Sequence, residues 1–173
     1  MSTEEDLLTM LRDRLPKDKV REVNITKWLN KFEIITDPEN IRYVILALKG
    51  LGFNHLVAIE TIDWLKKEPT FELIYYLASI ERNGAMVLVR TKIPRDNPVI
   101  DSIHDILPFA YYQELENYEF FGITFRGHKG LKLWILEDNW DGPPPLRKDF
   151  DSVKYALEHY YKGLRYERGD SNE

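Results

Sequence analysis

Cysteine is missing from all 173 positions, which excludes disulfides, thiolate nucleophiles, zinc-thiolate sites and cysteine-held iron-sulfur clusters on this polypeptide. Any redox centre it works with must then belong to a partner. No apolar run approaches the roughly 20 residues of a membrane span, and the opening MSTEEDLL is acidic where a secretory leader would be basic and then apolar. The expected location is therefore the cytoplasm, or the cytoplasmic face of a membrane through peripheral attachment. The phosphate-cradling patterns G-x-G-x-x-G and G-x-x-x-x-G-K do not occur, which argues against nucleotide chemistry. A basic stripe is absent too: 24 Lys and Arg are interspersed with 29 Asp and Glu, a formal charge of -5, so nucleic acid is not the expected ligand.

What the chain does have is aromatic surface material. Ten tyrosines within 13% aromatic content exceed what a core of this size needs, and tyrosine is enriched where one protein buries the surface of another. The length suits one domain of about 100 to 150 residues plus an extension. Thr3 can cap a helix whose Leu7, Leu8, Leu11 and Leu15 form one stripe before Pro16. Residues 19–36, with Val20, Val23, Ile25, Ile34 and Ile35, read as one or two strands. Asp37-Pro38 opens a second helix with Ile41, Val44, Ile45 and Leu48 on its apolar face. Residues 54–64, 70–81 and 84–93 are three extended segments joined by hairpin-length turns, an antiparallel meander. In the second, Phe71, Leu73, Tyr75 and Leu77 alternate with Glu72, Ile74, Tyr76 and Ala78, so both sheet faces should be covered. After the Pro94–Pro98 break, a helix is expected over about 105–121 with Tyr111, Leu115 and Tyr118 on one side. Asp151 can cap a last helix carrying Val153, Ala156, Leu157, Tyr160 and Leu164. The expected fold class is α+β, a mostly antiparallel sheet packed by helices. It divides into a core domain over residues 1–122 and an extended C-terminal strap with a short helix over 123–173.

Between Glu114 and Phe150 the chain reads as a docking surface more readily than as an active site. Pro143 to Pro145 have no backbone donors and favour a stiff, extended strap, which ends in Leu146-Arg147-Lys148-Asp149-Phe150, apolar anchors bracketing charges. Trp134 and Trp140 are either anchors for a partner or residues that fold back onto the sheet. None of His55, His104, His128 and His159 has a partner at the spacing of a recognised metal motif. Gly127 permits a tight turn aiming His128 at a partner or at the chain's own carbonyls. Glu114, Glu116 and Glu119 allow a paired-carboxylate acid/base site, but a solvated or partner-facing acidic patch is the preferred reading. Ser102 near His104 has no G-x-S-x-G elbow to expose it and reads as a turn residue.

These residues resemble the thirty-kilodalton subunit of respiratory complex I, the C subunit of NADH dehydrogenase, and its counterparts in membrane-bound nickel-iron hydrogenases. The resemblance runs from about Asp37 to Phe150. It is carried by Glu114-Leu115-Glu116, Glu119, Gly122-Ile123-Thr124-Phe125, Gly127-His128-Lys129 and Pro145-Leu146-Arg147-Lys148-Asp149-Phe150, with PRDNPVIDSIHDILPFAYYQE upstream. Leu115, Glu119 and Lys129 depart from the family's arginine, aspartate and proline, which favours a divergent, ferredoxin-linked hydrogenase branch. The resemblance implies a non-catalytic, cofactor-free peripheral-arm subunit on the cytoplasmic side of an ion-translocating complex. Its strap would wrap a large catalytic subunit beside a small iron-sulfur subunit, those partners carrying the nickel-iron centre and the clusters. Interface residues are then expected at Glu114, Glu116, Gly127, His128, Trp140, Leu146, Arg147, Lys148 and Asp149. Two other readings remain open: an acid/base enzyme using His128 with Glu116 or Glu119, and an adaptor that captures a partner strand at its sheet edge.

Overall fold

Turn chemistry and alternation set the central layer. A computed structural model of the chain describes residues 4–26 and 31–161. Helix α1 (Glu4–Arg14) leads into strands β1 (Glu22–Thr26) and β2 (Lys31–Ile35), and helix α2 (Ile41–Gly50) follows a single 3-10 turn at Pro38–Asn40. The expected caps differ here. Thr3 lies outside the described residues, and the Asp37 carboxylate makes no cap bond but pairs with Arg21. Strands β3 (His55–Asp63), β4 (Thr70–Ser79) and β5 (Ala85–Pro94) form the meander. Between β4 and β5, Asn83 and Gly84 take φ of 54° and 75°, left-handed values that Asn and Gly tolerate best.

The five strands lie in the order β1-β2-β5-β4-β3. All pairs are antiparallel except β2 with β5, where Phe32 faces Val87 and Ile34 faces Val89. On one face Phe71, Leu73, Tyr75 and Leu77 of β4 join Phe32, Ile34, Val87 and Val89, with Leu11 and Leu15 of α1 and Ile41, Val44, Ile45 and Leu48 of α2, in one buried core. Each such side chain contributes roughly 1.5–3 kcal/mol on burial, which fixes the strand register, since a one-residue slip would turn this set to the opposite face. That opposite face is polar at its centre: Arg90 pairs with Glu33 at 2.6 Å and with Glu72 at 2.8 Å.

Beyond the Pro94–Pro98 break come the three-residue strand β6 (Val99–Asp101), helix α3 (Ala110–Phe121) and strand β7 (Thr124–Arg126), which pairs in parallel with β6. Ile123 and Phe125, placed by sequence in the strap, are buried in the core. Helix α4 (Ser152–His159) is capped as expected, the Asp151 carboxylate accepting from the Lys154 N–H. Its apolar stripe is not fully buried, and Leu164 lies outside the described residues.

Candidate functional site

Helix α3 places its functional side chains on a face where sequence periodicity puts none. Tyr111 and Tyr118 are only half-buried, while Glu114, Asn117 and Glu119 are buried with Leu115. The acidic patch is thereby corrected: Glu114 and Glu119 face their own protein, and only Glu116 keeps partial exposure.

Glu114 has no exposed surface. Its Oε1 accepts the Ile103 N–H at 2.7 Å, and its Oε2 accepts the Ser102 hydroxyl. Ser102 also lies 2.7 Å from His104 Nδ1, so one buried hydroxyl links a carboxyl to an imidazole. Burial pushes the Glu114 carboxyl up to about 7 against the pull of those two hydrogen bonds. Arg42 is the neighbouring cation, but it is bound at 2.7 Å to Asp105, whose carboxyl it holds down at about 2. His104 is pushed down by burial and by His128, whose ring centre lies 4.9 Å away.

His128 follows Gly127, whose φ of +86° makes the turn. The ring is directed at the chain's own backbone. Nδ1 accepts the Gly130 N–H at 3.1 Å, and Nε2 lies 3.1 Å from the Tyr111 carbonyl, an arrangement that an imidazole protonated on Nε2 satisfies at both ends. His104, Glu114 and His128 each offer a ligand atom, and these lie within 4.8 Å of one another, the one potential cation cluster among the described residues. A metal would have to draw them closer and take the Nε2 lone pair, which requires moving the proton to Nδ1 against the Gly130 donor. The hydrogen-bonded network is the better account of the same atoms. Ser102, 1% exposed, has no access for a substrate.

Glu119 has a different task. Its carboxylate accepts the backbone N–H groups of Trp134, Ile135 and Leu136 at 3.0–3.1 Å, so the start of the strap is bound by one buried anion. The strap's other end is fastened at Asp63 and Arg95. Asp63 accepts the Lys148 N–H at 3.0 Å and Arg95 Nε at 3.1 Å, and Arg95 also pairs with Asp149. Burial would raise Asp63, but the Lys148 N–H and Arg95 outweigh it and lower its pKa. Arg147 donates to the Phe121 carbonyl at 2.6 Å, and its guanidinium and that of Arg95 lie 5.3 and 5.4 Å from the Phe71 ring centre. Gly122 completes the seat: its φ is +73°, and a Cβ there would stand 2.6 Å from Arg147 Nη2. The proline-stiffened strap thus lies on its own domain. Arg147 and Asp149 act within that fold, whereas Leu146 and Lys148 stay exposed. Trp140 does not fold onto the sheet but packs against Phe150 and Tyr155 at 6.1 and 4.8 Å.

Strand β3 forms one sheet edge, and α3 covers it. Gln113 accepts the Ile59 N–H and donates to the Val57 carbonyl, and Asn117 donates to the Ile59 carbonyl at 3.1 Å. This edge is therefore closed to strand capture. Alongside it runs a concavity of about 470 Å³ lined by Ala58, Ile59, Glu60, Tyr112, Glu116 and Trp134. Neither His128 nor Glu119 opens into it.

Fold and site together define a cysteine-free α+β domain whose buried polar groups hold its own backbone and strap. The family model for the respiratory-chain NADH dehydrogenase 30 Kd subunit matches residues 34–156, and the chain belongs to that family. It is 34% identical over 66% of its length to the C subunit of F(420)H(2) dehydrogenase from Methanosarcina mazei, covering 72% of that protein. It is 32% identical over 83% of its length to the C subunit of NADH-quinone oxidoreductase from Roseiflexus sp. (strain RS-1), covering 81% of that one. In structure it is similar to a chain of the membrane-bound sulfane sulfur reductase, an archaeal respiratory membrane complex, with TM-score 0.81, 28% identity and 98% of each chain covered. A trypsin-resistant fragment of Nqo5 superposes with TM-score 0.61 at 26% identity over 73% of this chain and 98% of the fragment.

Proposed function

We propose that this chain is a structural subunit of a membrane-associated respiratory oxidoreductase. It docks the large catalytic subunit beside a small iron-sulfur subunit and leaves redox chemistry to those partners. The observation that carries this is the 98% coverage, strap and terminal helix included, of a chain from a solved respiratory membrane complex. Among the described residues no helix is long and apolar enough to cross a membrane, so attachment runs through partners on the cytoplasmic side in this reading. Of the interface candidates, Glu116, Leu146 and Lys148 meet partners directly, with Gly127 and Trp140 beside them. Glu114, His128, Arg147 and Asp149 hold the surface in shape through the internal bonds described above.

The three signature departures, Leu115, Glu119 and Lys129, favour a ferredoxin-linked nickel-iron hydrogenase. The names of the similar proteins fit a quinone-, F420H2- or sulfur-linked complex equally well. Gentle purification of the tagged chain from its native membranes, with subunit identification and metal analysis, separates these. Co-purifying subunits with nickel and iron support the hydrogenase type; iron without nickel supports the others. Recovery of the chain alone, without metal, overturns the assembly reading.

A further inference from the structure

Phe109, Tyr112, Trp134 and Ile135 expose 58%, 51%, 47% and 54% of their surface, large apolar groups gathered where α3, its approach and the start of the strap meet. Singly exposed hydrophobics need no explanation, but a contiguous set does. The Tyr112 and Trp134 rings are 5.0 Å apart, and both line the concavity beside β3. Its charged groups are Glu60, exposed and accepting the Tyr76 hydroxyl at 2.8 Å, and Glu116, whose carboxyl is raised by burial and by Glu119.

The arrangement is held rather than loose. Glu119 binds three consecutive N–H groups, and the backbone so fixed displays the Trp134 and Ile135 side chains outward in place of a collapse onto the sheet. A buried carboxylate that fixes an exposed tryptophan is preorganisation: the ordering cost of the anchor is met before a partner arrives. Because Gln113 and Asn117 already satisfy the β3 backbone, an occupant cannot add as a strand and must bind through side chains.

We propose that this face is the docking platform for an amphipathic helix of a partner subunit. The helix lays its apolar stripe on Tyr112, Trp134 and Ile135 and places a lysine or arginine between Glu60 and Glu116. This rests on the assembly reading above and names the surface and the occupant.

The test is made in the assembled complex. A photo-crosslinking p-benzoylphenylalanine replaces Phe109 or Tyr112, with Tyr43 of α2 as the control position, and adducts are mapped by mass spectrometry. Expected are adducts from 109 and 112 to one lysine- or arginine-bearing helical segment of a co-purifying subunit. The pair Tyr112→Ala and Trp134→Ala should lower recovery of that subunit at least tenfold, and Glu60→Lys with Glu116→Lys, which leaves the apolar face intact, should do the same. Recovery of the partner with no adduct at 109 or 112, unchanged recovery in both double variants, or adducts to an extended segment or to lipid would each overturn the platform while leaving the assembly reading standing. Failure of the wild-type chain to recover any subunit would instead remove the assembly reading itself.

Discussion

Glu114 is a carboxyl buried against a hydroxyl and one N–H with no cation in contact, so its charged form is the costly one. With the folded-state pKa raised to about 7, the native protein holds a proton that the unfolded chain releases near the ordinary glutamate value. The stability this lends is complete at acid pH and is lost as pH rises towards 7, on the order of 3 kcal/mol over the window. Glu114→Gln keeps the shape and both bonds but cannot ionise. Melting temperatures at pH 5 and pH 8 should therefore fall between the two values more steeply in the wild type than in the variant. Equal slopes would show that the carboxyl titrates normally. At Gly122 the demand is steric: Gly122→Ala must adopt a left-handed φ and displace Arg147 from the Phe71 ring. A loss of about 1–3 kcal/mol in urea unfolding is expected.

Among the elements, α2 and the β3–β5 meander were legible because their signals are local: an Asp-Pro start, a 3.6-residue stripe, an Asn-Gly turn and strict alternation. Helix α3 was legible as a helix and misread as a surface. Its buried face carries Glu114, Asn117 and Glu119, polar residues that are stable inside only because Ser102, the β3 edge and the strap bring partners from 12 to 58 residues away. Periodicity reports apolar burial and is silent about satisfied polar burial. Strands β6 and β7, three residues each, are too short for alternation to register. The edge-covering pair yields a prediction. Gln113→Leu with Asn117→Leu should free the β3 backbone, destabilise the domain by about 1–3 kcal/mol and promote self-association. Light scattering should show concentration-dependent oligomers that the wild type lacks, and a monomeric, equally stable double variant would refute the edge-cover role.

For the molecule as a whole, the strap is fastened at two points, Glu119 at its start and the Asp63, Arg95, Asp149 and Arg147 group at its end. The Asp63–Arg95 pair is almost wholly buried, and removing one partner of such a pair costs about 3–5 kcal/mol. Asp63→Ala should release the strap, seen as faster proteolysis within 131–150, before the sheet unfolds. The Asp63 and Asp149 pKa values are both lowered, so the latch is intact above the ordinary carboxylate range and opens as pH falls through the lowered values. Protease protection should hold at about pH 6 and be lost below about pH 3.

By itself the sequence determined the fold class, the absence of thiol-held redox centres, the order of the main elements and the family, because composition, periodicity and an ordered motif are all read along the chain. Only the tertiary structure decided where the strap lies, that Arg147 and Asp149 bind their own domain, and that α3 turns three polar residues inward. Those outcomes depend on groups far apart in sequence meeting out of water, where a charge or an N–H is stable only if its partner is already in place.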